Sequence, residues 1–199
     1  MKKAICLALI MLSFTYAQDG EAYGFSEGSA YGSLLSMGGS ADGDSADERE
    51  MGFNLGYQFP LNEKWTAGIG YTKRGFGYKD EYDGYQDKIS YDISGFEFWA
   101  KYHLTQMGNA NLWIGPSFAI LTNAEYEASV TDSEDGYMYD QVSGDVDIDD
   151  NDLSIMLGLS FPVGNRSELN LGYQRSITKI DDLLIFNQLI IGFSMSSLF

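Results

Sequence analysis

The single histidine of this 199-residue sequence, His103, closes the run Glu97-Phe98-Trp99-Ala100-Lys101-Tyr102-His103. A hydrolase would need that imidazole beside a serine nucleophile and a carboxylate in one constellation. Serines and acids are plentiful along the chain, so their presence alone selects nothing, and a hydrogen-bonded polar histidine is the expected role. A second candidate is Asp145-Val146-Asp147-Ile148-Asp149-Asp150-Asn151-Asp152. An EF-hand loop needs Gly at its sixth position and Glu at its twelfth. Here those positions hold Asp150 and Met156. Asp145, Asp147, Asp149 and Asp150 remain weak divalent-cation candidates, and a solvated, self-repelling segment is the expectation. One cysteine, Cys6, rules out a disulfide framework and a cysteine-based zinc site. No catalytic residue and no cofactor is expected.

Charge narrows the partners. Lys and Arg total 12 against 29 Asp and Glu, a net charge of −17, which excludes a nucleic-acid binder. A hydrophobic content of 44% is too high for an acidic disordered chain. With 23 Gly, 14 Tyr and only 3 Pro, short strands and turns are favoured. Met1-Lys2-Lys3, the apolar run from Ala4 to Phe14, and Ala17 form the pattern of a secretory signal peptide, residues 1–17. Its removal would leave residues 18–199 as one domain and, with Lys2 and Lys3 gone, take the charge from −17 to −19.

The remainder alternates with period two. In 51–59 every odd residue is large and apolar, and every even one is Gly, Asn or Gln. Residues 153–163, 168–174 and 189–199 repeat the pattern. Strict alternation predicts strands with one apolar and one polar face. Less regular strands are predicted at 22–35, 65–71, 88–104 and 110–122, eight in all. In 88–104 the apolar residues shift from odd (Ile89, Tyr91, Ile93) to even (Phe96, Phe98, Ala100), which predicts a bulge at Ser94-Gly95 unless the upper part leaves the membrane and no longer needs its phase. Pro116 cannot donate to a ladder, so a local defect is expected there.

Connections alternate in length. The short ones lie at 60–64, 105–109 and 164–167, and the long ones at 36–50, 79–88, 123–152 and 179–187. Transmembrane barrels sort their turns in this way. Strands of about ten residues, tilted by about 40°, span the roughly 25 Å apolar band. The faces opposite the apolar stripes are Gly, Ser, Asn, Gln and Thr, suited to a crowded lumen. The expected fold is all-β: an eight-stranded antiparallel up-and-down transmembrane β-barrel. Its interior is only wide enough for side chains. A lumen polar network of Glu97, Lys101, His103, Asn54, Gln58, Asn170 and Gln174 is therefore expected to plug it. Trp65, Tyr57, Phe59, Tyr102 and Phe161 read as an interfacial girdle, while phase turns Trp99 and Trp113 inward. Residues 123–152 carry 11 acids and no Lys or Arg.

The run Glu97-Phe98-Trp99-Ala100-Lys101-Tyr102, the Gly115-Pro116-Ser117-Phe118 step and the closing segment from Asn187 to Phe199 resemble the outer-membrane β-barrel family that includes PorT-like and OmpA-like barrels of Bacteroidetes-type bacteria. Glu97 stands where many members have Pro. The resemblance implies a barrel in the outer membrane of a Gram-negative bacterium. It also implies contacts with membrane lipid and lipopolysaccharide, and a terminal aromatic, Phe199, read by the barrel-assembly machinery. A monomer with a structural or surface-interaction role is expected. A membrane-embedded lipid-modifying enzyme, a narrow solute pore and a secreted soluble barrel that binds an apolar ligand inside are the alternatives.

Overall fold

The computed structural model describes residues 28–41, 44–45, 50–146, 151–163, 167–178 and 184–196. Residues 1–17, expected from the sequence to be a signal peptide, and Phe199 lie outside them. Among the described residues the regular structure is all β-strand: β1 (Ser29–Ala41), β2 (Asp44–Ser45), β3 (Glu50–Pro60), β4 (Trp65–Tyr82), β5 (Tyr85–Met107), β6 (Ala110–Asp132), β7 (Met138–Asp145), β8 (Asn151–Val163), β9 (Ser167–Ser176) and β10 (Leu184–Ser196). Eight strands pair antiparallel in the order β10-β9-β8-β6-β5-β4-β3-β1, and β1 pairs with β10 to close the ring. β2 is a short partner of β1, and β7 extends alongside β6.

Closure leaves the eight-strand wall without an edge, as a membrane requires. Side chains alternate across that wall. Leu55, Leu157 and Ile191 are about half exposed on the outside, while Asn54, Ser154, Ser160, Asn170, Gln174 and Gln188 are buried inside. An apolar belt of this extent would be a liability in water and is stable against lipid. The short 61–64 turn is closed by Asn62, whose Oδ1 accepts from the backbone N–H groups of Lys64 and Trp65.

Several boundaries differ from the sequence expectation. The first strand is 29–41 rather than 22–35. Tyr23 and Phe25 lie outside the described residues, Tyr31 and Leu35 face inward, and Leu34 faces lipid. At Ser94/Gly95 the β5–β6 register does shift, from Ser94↔Asn123 to Gly95↔Leu121. The extra residue is Thr122 of β6, however, and β5 keeps its phase: Ile93, Gly95, Glu97 and Trp99 all point inward. The apolar residues change face because the lumen itself turns apolar at that level. Beside Pro116 the β5–β6 register passes from Trp99↔Ser117 to Tyr102↔Ile114 without pairing Ala100 or Lys101. A Cβ on neighbouring Gly115 would strike the Ala100 carbonyl.

The largest correction concerns two expected loops. Residues 79–88 are the tip of a hairpin in which β4 and β5 pair continuously out to Tyr82↔Tyr85. Asp83 and Gly84 turn the chain with φ of 45° and 83°, as a two-residue type I′ hairpin demands. Residues 123–132 and 138–145 are likewise strand, joined by a turn at 133–137: β6 runs to Asp132 and β7 returns along it. β4 to β7 thus rise beyond the ring as one continuous arm. Alternation carried past the membrane and an Asp-Gly pair explain why the wall does not stop at the belt.

Candidate functional site

Three residues four apart on β5 mark three levels of the lumen: Ile93 near the arm end, Glu97 in the middle, and Lys101 toward the short turns. At the strand rise of about 3.3 Å per residue, successive levels are about 13 Å apart along the strand.

The middle level is a charge cluster. Arg74 of β4 lies between Glu97 of β5 (2.9 Å) and Asp152 of β8 (2.5 Å), and all three are almost fully buried. Glu97 also accepts from Asn54, from Ser117, and from Gln174 at 2.8 Å. Ser154 donates to Asp152 at 2.7 Å, and Gln188 donates to Gln174 at 2.5 Å. Residues of β3, β4, β5, β6, β8, β9 and β10 are thereby joined in one network, with the Arg74 guanidinium bonded to Glu97 and Asp152 at its centre. The rigid planar fork of Arg74 holds the two carboxylates in fixed directions, Nη2 on Glu97 and Nη1 on Asp152, a geometry that the rotating point charge of an ammonium does not impose.

The level below is aromatic. Lys101 Nζ lies 4.6 Å from the ring centroids of both Trp99 and Trp113 and donates to Asn170 Oδ1 at 3.0 Å. Ser160 donates to the same oxygen at 2.7 Å. Gly158 leaves room for the Trp113 indole, which a Cβ there would meet. A chain of bonds links this level to the one above: Trp99 Nε1 donates to Tyr31 OH, and Tyr31 OH donates to Asn54 Oδ1, each at 2.9 Å. The cavity between the two levels measures about 40 Å³, space for a few waters but not for a solute. On the arm side, Leu35, Met37, Ile93, Leu121 and Phe186 form a buried apolar plug with Tyr78, Tyr91 and Val146 against it.

Of the residues expected in the lumen, Asn54, Glu97 and Gln174 join the charge cluster, and Lys101 and Asn170 form the lower level. Gln58 is buried beside the cavity. His103 is half-buried toward the short turns, with Nε2 3.0 Å from Thr66 Oγ1. Among the described residues no serine or carboxylate is hydrogen-bonded to it, so a Ser-His-acid set is not assembled. Glu97 and Lys101 do not pair with each other: Glu97 pairs with Arg74. Trp99 and Trp113 are lumen packing, while Trp65 and Tyr102 pack against each other outside, with centroids 5.0 Å apart and planes inclined at 52°.

Arg74 and Asp152 are the residues that sequence reasoning missed. Continuing the inward phase of Thr66, Gly68, Gly70 and Thr72 by one step would have placed Arg74 in the lumen. Asp152 had been grouped with the acidic segment, although it holds the inward phase of Ser154 and Ser160. Asp145 ends β7, exposed, and Asp147, Asp149 and Asp150 lie outside the described residues. Among the described residues no group of His, Cys, Asp and Glu could hold a metal ion.

Residues 16–182 match the family model described as outer membrane protein beta-barrel domain. The chain belongs to that family. This barrel has no match among curated proteins. Among solved structures it is similar to Neisserial surface protein A, with 13% identity, a TM-score of 0.53, and coverage of 85% of this chain and 97% of the other. It also aligns with Ail of Yersinia pestis, solved with the heparin analogue sucrose octasulfate, at 17% identity, 86% and 98% coverage and a TM-score of 0.49. OprG of Pseudomonas aeruginosa aligns at 7% identity, 89% and 99% coverage and a TM-score of 0.39. At these identities the likeness is one of fold.

Proposed function

We propose that this barrel is a structural anchor that holds an acidic interaction arm at the surface of the outer membrane, and that it neither conducts solutes nor catalyses a reaction. The observation that carries this reading is a contrast in order. The acidic segment within 123–152 continues the barrel wall as paired strands, while the lumen beneath is filled at three successive levels. A conduit would need a continuous wet path, and the Arg74 cluster and the apolar plug both lie across it. The lipid-modifying alternative lacks support at His103. The arm would face outward, opposite the short turns. Lipid and lipopolysaccharide would surround the belt, and the closing strand β10 would engage the assembly machinery. PorT-like subfamily membership remains part of this proposal and rests on the run from Glu97 to Tyr102.

Two measurements test it. In planar bilayers the purified protein is expected to give no large, stable openings, and well-resolved conductance steps would overturn the plugged lumen. On intact cells an epitope inserted at Gly136 is expected to be labelled by antibody. Labelling only after the outer membrane is breached would overturn the external arm.

A further inference from the structure

The end of the arm is fixed by its own hydrogen bonds. Asp132 N–H donates to the Tyr137 carbonyl at 2.8 Å, and Gly136 N–H to the Asp132 carbonyl at 3.0 Å. Ser133 N–H donates to the Gly84 carbonyl at 2.9 Å, tying the two hairpin turns together. Side chains complete the turn: Glu134 N–H donates to Asp132 Oδ1 and Tyr137 N–H to Asp135 Oδ1, both at 2.8 Å. Donation from Glu134 N–H holds the Asp132 carboxyl below the usual aspartate range, and its bond with Tyr139 raises that phenol. This tip is therefore a shaped surface rather than a freely solvated loop.

Three tyrosines sit on it. Tyr85 and Tyr139 have centroids 5.5 Å apart, and Tyr137 and Tyr139 5.3 Å apart. Tyr137 and Tyr139 are 64% and 53% exposed, so much of each ring meets solvent. Tyr139 OH donates to Asp132 Oδ2 at 3.1 Å, which fixes its ring. The surroundings are strongly negative: 123–152 holds 11 acids and no base, and the adjoining hairpin 79–88 adds Asp80, Glu81, Asp83 and Asp87 against Lys79 and Lys88. Aromatic faces beside carboxylates attract a cation, and a guanidinium suits them better than an ammonium. It is planar, weakly hydrated, stacks on rings, and takes a carboxylate through two parallel bonds. An anionic or purely apolar partner is disfavoured by the same charge.

We infer that the tip of the arm is a recognition site for arginine side chains presented by an extended, cationic segment of a partner protein. The guanidinium would stack on Tyr137 and Tyr139 with the turn carboxylates at its edge. The inference deepens the interaction reading above and rests on it for its biological setting.

The test uses the full-length barrel refolded in nanodiscs and two labelled peptides of equal length, an Arg-Gly repeat and a Lys-Gly repeat, read by fluorescence anisotropy at physiological salt. The Arg peptide is expected to bind about fivefold to tenfold more tightly than the Lys peptide. The double variant Tyr137→Ser/Tyr139→Ser should erase that preference, and Tyr139→Phe should keep most of it. Glu125→Gln/Glu127→Gln, at the base of the arm, should weaken both peptides alike. An unchanged shift between heated and unheated samples on gels shows that each variant is folded. Equal binding of the two peptides, no binding, or a preference that survives loss of both tyrosines would overturn the inference. The two readings fail separately: an arm hidden on cells refutes the external setting, whereas an accessible arm without arginine preference refutes this site alone.

Discussion

Lys73 and Arg74 are consecutive on β4, and each is paired with acid. Arg74 is buried in the lumen between Glu97 and Asp152, whereas Lys73 faces outward and meets Asp92 at 2.9 Å with both side chains 43% exposed. One step along a strand separates two electrostatic regimes. Outside, water screens the pair, and its two flexible side chains give back most of what the contact yields. Inside, the ions have lost their hydration, and each oxygen or N–H without a partner carries the full penalty. The buried cluster therefore ties β4 and β5 to β8 across the lumen through groups that are costly to leave unpaired.

The largest expected effect follows from breaking that cluster. Arg74→Met strands two buried carboxylates and should lower unfolding free energy by about 3–5 kcal/mol, measured by urea unfolding in lipid vesicles. A triple variant that also carries Glu97→Gln and Asp152→Asn should recover much of the loss. If Arg74→Met alone is neutral, the cluster is wetter than its burial indicates. A middle-sized effect belongs to the level below. Lys101→Ala removes two cation–π contacts and the Asn170 bond and should cost about 1–3 kcal/mol, with a change in tryptophan emission because Trp99 and Trp113 lose their shared neighbour. The smallest is outside: Lys73→Ala should cost less than about 1 kcal/mol and become undetectable at high salt. A large cost there would erase the contrast between the two faces.

Much of this architecture was legible as alternation. Odd residues in 51–59 and 153–163 turned out to face lipid, and Asn54, Asn170, Gln174, Glu97 and Lys101 fall inward from phase alone. The pairing of charges was not legible. Arg74 and Asp152 are 78 residues apart in sequence, and only ring closure and stagger bring them together. The arm was hidden for a different reason. Its acidic composition resembles a solvated loop, yet Asp83-Gly84 carries the local signal of a tight hairpin, and the alternation in β4 and β5 continues past the apolar belt. Ile93 misleads by its type, since apolar residues are expected to face lipid while the lumen has an apolar plug of its own.

The central claim is the inversion of inside and outside across the wall, and adjacent residues on β8 test it most directly. In nanodiscs with labelled methyl groups, the methyls of Leu157, Leu55 and Ile191 are expected to show nuclear Overhauser contacts to lipid acyl chains. The Met156 methyl, one residue from Leu157 and buried against the two lumen tryptophans, should show none, and neither should Ile93 or Leu35. Acyl contacts at Met156 and Ile93 with none at Leu157 would contradict the account.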